Sequence, residues 1–200
     1  MAMHEPPLIQ LIVASTRLRR RGTPIAGWFA SVAAARDDLT VEITDLAELS
    51  LPLLAEATPP MDATSRDPAA RDWSDTVAAA DSYVVVTPEY NHGYPAPLKN
   101  ALDHLFGEWG RKPIGFVSYG AASGGARAVE QLRQVAVELD MVPLRRQVAI
   151  PRIWAALDER GVLRDPPITE AEAMLDDLVW WATRLRAIRT GAAVARGATT

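Results

Sequence analysis

The sequence predicts an α/β fold: an open, parallel sheet with helices on both faces. Three observations predict it. Strand-like and helix-like patterns alternate along the 200 residues, which implies right-handed βαβ crossovers. The first strand-like run, Leu8 to Ala14 (LIQLIVA), is almost continuously apolar, as expected of a strand covered on both faces. A β-branched run, Val84 to Thr87, stops abruptly at Pro88-Glu89-Tyr90-Asn91 before another helix begins. That is how a buried parallel strand ends, and ligands of open α/β sheets bind at such ends.

The elements follow in order. After the first strand, Thr23-Pro24 reads as N-cap and first helical residue. Ile25, Ala26, Phe29, Val32 and Ala33 continue at helical spacing. Val41, Ile43 and Thr44 suggest the second strand, and Leu51 to Asp67, rich in Pro, Ala and Asp, a long loop. Pro68 to Ala80 is a helix with Trp73, Val77 and Ala80 on one face. Tyr83 to Thr87 is the third strand, Pro97 to Phe106 a helix, Ile114 to Ser118 the fourth strand and Ser123 to Leu139 a long helix. Leu144 to Ile150 is the fifth strand; Arg145-Arg146 interrupts it and places it at a sheet edge. An irregular connection, 152–168, precedes a last helix that Thr169 caps and that reaches about Ile188. Five strands of this size fit a three-layer sandwich with the flavodoxin-like strand order 2-1-3-4-5. A single domain over 1–190 is expected, with 191–200 a flexible tail.

Bulk properties exclude several function classes. A chain of this length buries roughly 70% of its unfolded surface, enough for one core. The net charge of −4 gives no general attraction to nucleic acid. There is no cysteine, so thiol nucleophiles, disulfides and Cys-ligated metals are excluded. His4, His92 and His104 lack metal-ligand spacing, and no metal is expected. Met1 to Pro7 does not resemble a signal peptide, and no apolar run reaches the ~18 residues a membrane span needs. A cytoplasmic protein is the expectation.

Three loops end strands one, three and four, whose carboxyl ends lie together in a 2-1-3-4-5 sheet. The first, Ala14 to Thr23, carries Ser15, Thr16 and Thr23 hydroxyls with Arg17, Arg19, Arg20 and Arg21. It leads into a helix N-terminus, where orphan amides and the helix dipole favour an anion. Four arginines in five positions repel one another unless an anion is near; the alternative is a solvated basic turn. Gly-x-Gly-x-x-Gly and Gly-Lys-Ser/Thr are both missing, so a mononucleotide phosphate suits the loop better than a pyrophosphate. The second loop, Pro88 to Ala96, holds Pro88, Glu89, Tyr90, Asn91 and His92; Asn91 and Gly93 tolerate left-handed backbone and let the chain curl. The alternatives are a core or interface role for Tyr90 and plain exposure for His92. Glu89 is expected to point away or be paired, with Lys99 as the partner. The third loop, Ser118 to Gly125, has Gly120, Gly124 and Gly125, which permit close approach to a flat ligand, and Ser123, which can cap the next helix. Read alone it is an ordinary Gly-rich turn.

These segments carry a resemblance. STRLRRRGTPIAGW, PEYN followed by P-LKNALD, and SYGAASGGARAVEQLRQV resemble, in the right order, the phosphate loop and the two flavin loops of the NADPH-dependent FMN reductases. The chain departs from the pattern at Ala14, where Gly is usual, and at Leu18-Arg19, where Pro-Gly is common. The resemblance spans roughly residues 8–150. It implies bound FMN, NADPH or NADH as co-substrate, a small-molecule electron acceptor, and a homodimer or dimer of dimers. Carried onto this chain, it makes Ser15, Arg17, Arg20, Thr23, Pro88, Glu89, Tyr90, Asn91, His92, Ser118, Gly120, Ser123 and Gly124 cofactor-binding residues. No protein group is expected to be catalytic, because the flavin carries the hydride chemistry. The expected acceptor is a quinone, an azo compound, free flavin or a metal oxyanion. A non-enzymatic, flavodoxin-like electron carrier is the alternative, and a ligand-free scaffold on the same fold a third reading. Tyr90, Tyr94, Leu98, Leu102 and Trp109 are expected to join a two-fold interface, although for Trp109 and the other tryptophans a plain core position is favoured.

Overall fold

A computed structural model describes residues 5–63 and 65–191. The tail expected over 191–200 lies, beyond Gly191, outside the described residues. The strands are β1 (Leu8–Val13), β2 (Thr40–Asp45), β3 (Ser82–Pro88), β4 (Pro113–Tyr119), β5 (Val142–Pro143) and β6 (Val148–Ile150). The helices are α1 (Gly22–Ala34), α2 (Pro68–Ala79), α3 (Ala96–Asp103), α4 (Ala126–Glu138), α5 (Ile153–Ala156) and α6 (Ile168–Arg189). All pairings between these strands are parallel. The order is β2-β1-β3-β4-β5, with β6 also on β4. This is the predicted 2-1-3-4-5 sheet, with its fifth position shared by two short strands.

Alternation along the strands divides the interior into two layers. Ile9, Leu11 and Val13 of β1, with Val84, Val86 and Val117, pack under α1 and α6 against Phe29, Met174 and Leu178. Ile12, Tyr83, Val85, Ile114 and Phe116 pack on the opposite face against Trp73, Leu98, Leu102 and Leu132. Gly115 is small for a reason: a Cβ there would stand 3.0 Å from the Met174 sulfur of α6.

Several boundaries differ from the expectations. The fifth strand splits where Arg133 of α4 takes over the carbonyls between the pieces. Its guanidinium donates to Leu144 O, and to Arg145 O at 3.2 Å. Helix α1 starts two residues earlier than expected, with Arg21 at the N-cap, so Thr23 lies in its first turn. Pro167, not Thr169, precedes α6. Asp67 caps α2 by accepting from the Ala70 amide at 3.1 Å. Trp109 is fully buried, edge-on to Trp73 and Tyr83. Leu98 and Leu102 are buried in the same layer, so these three serve the chain's own core and not an interface.

The end of the sheet opposite the three loops is closed by charge. Asp81 accepts from the Leu8 amide and pairs with Arg186 and Arg189 of α6. Lys112 is buried, its ammonium donating to Val77 O at 2.8 Å and Ala78 O at 3.0 Å, the open carbonyls of the α2 C-terminus.

Candidate functional site

The carboxyl ends of β1, β3 and β4 frame an open cleft of about 410 Å³. One wall is the run Arg17 to Arg21; the other is Pro88, Glu89, Tyr90, Tyr119, Gly120 and Ala121, with Ile153 and Trp154 at the rim. Of the sequence-predicted residues, Arg17, Arg20, Pro88, Glu89, Tyr90 and Gly120 meet here. Ser15 lies just beneath, fully buried, its hydroxyl 2.7 Å from that of Tyr90. The Arg17 guanidinium stands 5.7 Å from the centre of the Tyr90 ring, a cation–π distance.

The four arginines are not equivalent. Arg20 is paired with Asp45 at the end of β2. Arg21 reaches the Ile153 carbonyl at 3.5 Å. Arg17 and Arg19 are exposed to the cleft. Arg19 has φ +55°, a left-handed conformation uncommon for side chains other than Asn, Asp and Gly. It occupies the place where the resemblance puts glycine, the residue that adopts this conformation most readily.

The second loop is a tight turn. Tyr90 and Gly93 exchange backbone hydrogen bonds of 2.8 and 2.9 Å, with Asn91 at φ +50° and His92 at φ +70° between them. Both central residues are left-handed, the I′ geometry. Gly93, expected to be left-handed, is not among the positive-φ residues. Asn91 and His92 are exposed beyond the cleft lining, and among the described residues their amides have no backbone partner.

Glu89 ties the second loop to the third. Its side chain is 6% exposed and pairs with Arg127 of α4. The Ser123 hydroxyl and the Arg127 amide also donate to it, both at 3.2 Å. Burial works against this carboxylate, but the hydrogen bonds from Arg127 and Ser123 and the Arg127 charge outweigh it and hold the carboxyl below its ordinary range. Lys99, the expected partner, instead bonds Asp103 one turn along α3. Ser123 is therefore spent on Glu89, and Gly125, at φ +89°, precedes α4 in its place. A Cβ on Gly125 would meet Ser118 Cβ at 2.8 Å and the Tyr119 amide nitrogen at 3.0 Å. Ser118 is buried and donates to Gly124 O at 2.8 Å. Ser118, Ser123 and Gly124 thus shape the third loop without lining the cleft; Thr23 does not line it either.

Sequence reasoning did not single out Asp45, Tyr119, Arg127, Ile153 or Trp154. Arg127 follows Ser123 at i+4 and shares its side of the helix start, a signal that was present. Trp154 sits in the irregular 152–168 stretch, where periodicity gives no face; it is 60% exposed.

A mononucleotide fits what is present. The arginine end of the cleft supplies positive charge beside a helix N-terminus. The Tyr119 hydroxyl and Arg20 Nε are buried there with no hydrogen-bond partner among the described residues, as donors awaiting an anion would be. Glycine backbone and tyrosine rings form the other wall. Among the described residues no cluster of His, Cys, Asp and Glu could hold a metal, and no helix is long and apolar enough to cross a membrane.

Comparison with known proteins agrees with this geometry. Residues 7–155 match the model of the NADPH-dependent FMN reductase family. An NAD(P)H-dependent FMN reductase of Schizosaccharomyces pombe is 37% identical over 151 residues, covering 73% of this chain and 74% of that protein. One from Pseudomonas aeruginosa is 30% identical over 185 residues, covering 89% and 97%. Among solved structures, a flavoenzyme NAD(P)H:(acceptor) oxidoreductase from Paracoccus denitrificans superposes with a TM-score of 0.69 at 21% identity, covering 88% of this chain and 97% of its own, and it shares the fold. The chain belongs to the NADPH-dependent FMN reductase family, flavodoxin-like oxidoreductases that work with FMN and a reduced nicotinamide nucleotide.

Proposed function

We propose that this chain holds FMN in the cleft and uses it to pass electrons from NAD(P)H to a small-molecule acceptor: a quinone, an azo compound, free flavin or a metal oxyanion. The observation that carries the reading is the polarity of the cleft, with arginines after β1, tyrosine, proline and glycine at the ends of β3 and β4, and the unpaired donors of Arg20 and Tyr119 between them. The relatives' names, which include NADPH:quinone oxidoreductases of rice, support the class of acceptor.

Ser15, Arg17 and Arg20 surround the phosphate, with Thr23 behind them in the first turn of α1. Arg17 supplies a charge-assisted, bidentate contact. Pro88, Glu89 and Tyr90 line the side of the ring system, and Asn91 and His92, just beyond the cleft lining, offer amides with no backbone partner among the described residues, which suit the acceptor atoms of its pyrimidine edge. Ser118, Gly120, Ser123 and Gly124 give the third loop its close approach. Pairing Glu89 with Arg127 keeps a bare carboxylate away from a ring that becomes more negative on reduction. Bound FMN supplies the hydride chemistry, so the chain's contribution is binding, orientation and electrostatics. Arg19 and Arg21, exposed at the cleft, suit the 2′-phosphate of NADPH over NADH.

Steady-state turnover with NADPH and NADH against a panel of acceptors tests the reading. Nucleotide oxidation that depends on added acceptor and is faster with NADPH is expected. Tight FMN binding with no nucleotide oxidation would favour the electron-carrier alternative.

A further inference from the structure

Two donors at the arginine end of the cleft are buried with nothing to donate to. The Tyr119 residue is 5% exposed and its hydroxyl has no hydrogen-bond partner among the described residues. The Arg20 Nε is in the same position, because Arg20 meets Asp45 through Nη2 and leaves the Nε edge unused. Leaving a buried polar group unsatisfied is costly, and native interiors carry few such groups. Two that lie in residues lining the same cleft, just beneath its surface, call for a shared explanation.

Their surroundings supply one. The Tyr119 hydroxyl stands over the first residue of α1: a Cβ on Gly22 would lie 2.9 Å from it. The 13-residue helix α1 therefore starts directly beneath this oxygen, with its orphan amides and positive dipole end. The neighbours that act on the Tyr119 phenol, besides its burial, are Tyr90, Ser15, Arg20 and Arg17. The Ser15 hydroxyl is near enough to influence it without bonding it, being engaged with Tyr90.

We propose that the Tyr119 hydroxyl and Arg20 Nε are direct ligands of the FMN phosphate, and that Asp45 is a positioning residue that engages Nη2 of Arg20 and leaves Nε unspent just beneath the cleft. The proposal rests on the FMN reading above. A phosphate monoester dianion has three terminal oxygens, each able to accept more than one hydrogen bond. Arg17 and the helix amides do not exhaust them. A phenol adds a donor without adding to the repulsion among four arginines. Burial, then the neighbouring Tyr90, pushes the phenol up, so it stays protonated and donates throughout the neutral range. Gly22 follows from the same geometry, since any side chain there would collide with the oxygen.

The structural alternative is that Tyr119 only packs, since its ring belongs to the layer under α1. Tyr119→Phe separates the two, because it keeps the ring and removes only the hydroxyl. Apoprotein is titrated with FMN and with riboflavin, which lacks the phosphate, and its thermal midpoint is measured without flavin. The expected result has three parts. FMN binding weakens 10- to 100-fold, riboflavin binding changes less than twofold, and the flavin-free midpoint stays level or rises because an orphaned hydroxyl is gone. Arg20→Lys, which retains a charge for Asp45 but has no Nε, should also lower the FMN-to-riboflavin preference by about tenfold. An unchanged FMN-to-riboflavin ratio in Tyr119→Phe, or equal losses for both flavins with a lower apoprotein midpoint, would overturn the proposal. If wild-type protein binds FMN tightly and only these ratios fail, the FMN reading stands and the phosphate ligands are wrong. If wild-type protein binds neither flavin, both fall.

Discussion

Arg17 and Glu89 show how single side chains divide the work of the cleft. Among the described residues Arg17 has no ion-pair partner and stands over the Tyr90 ring, so its charge is available to a ligand. Removing it with Arg17→Ala should weaken FMN binding by about 2–4 kcal/mol, the value of a charge-assisted bidentate contact. Riboflavin binding should hardly change; equal losses for both flavins would mean that Arg17 acts through folding. Glu89 does the opposite, spending its charge inside the protein on Arg127 and Ser123. Its folded carboxyl titrates below the ordinary 4.5, so the pair stabilises the fold above that value and is lost as pH falls through the folded one. Glu89→Gln should cost roughly 1–2 kcal/mol at neutral pH, with Arg127 partly screened by solvent. In denaturant titrations the gap between the two proteins should shrink below pH 4.5 and vanish in strong acid. A gap that is the same at pH 7 and pH 3 would show that the ion pair contributes nothing.

At the scale of elements, the strands were legible because each is a short β-branched or apolar run bounded by turn residues, and β1, β3 and β4 fell where the pattern put them. The helix starts were less legible. Thr23 and Thr169 look like caps, yet Arg21 and Pro167 hold those positions, because in this chain ligand loops and tertiary contacts decide where α1 and α6 begin. The Lys99 pairing failed for a related reason: Asp103, one turn along the same helix, is nearer than any loop carboxylate. The unpaired Tyr119 hydroxyl could not be read from sequence at all, since it depends on where β4 ends relative to α1. The α2 C-terminus carries a prediction of its own. Burial first, then the charge of Arg189, lowers Lys112 to about 8, against smaller opposing effects of Asp81 and Glu108. Between pH 8 and the ordinary 10.5 the unfolded lysine still binds a proton that the folded one has lost, so stability rises with pH in this window. Measured against Lys112→Met, the wild-type protein should gain up to roughly 3 kcal/mol across it. A flat difference would contradict the burial of this ammonium.

For the whole molecule, the fold gathers three separated loops at one end of the sheet and leaves the opposite end to the Asp81 and Lys112 clusters. Assembly follows from what the core does not use. Leu98, Leu102 and Trp109 are internal, but the loop after β2 is strapped to α3 by Asn100 and His104, which both bond Pro52 O. That loop holds Leu53 84% and Met61 61% exposed. A homodimer through this face is the proposal. Light scattering at micromolar protein should report at least a dimer, and Leu53→Asp should lower the mass without unfolding the chain; a wild-type monomer would contradict it. Under the proposed function, the arginine end of the cleft holds one phosphate of a flavin. Purified protein, denatured and its released cofactor separated by chromatography, tests that most directly. The released cofactor is expected to be FMN. Release of FAD, or a protein that carries no flavin and takes up none at micromolar FMN, would contradict it.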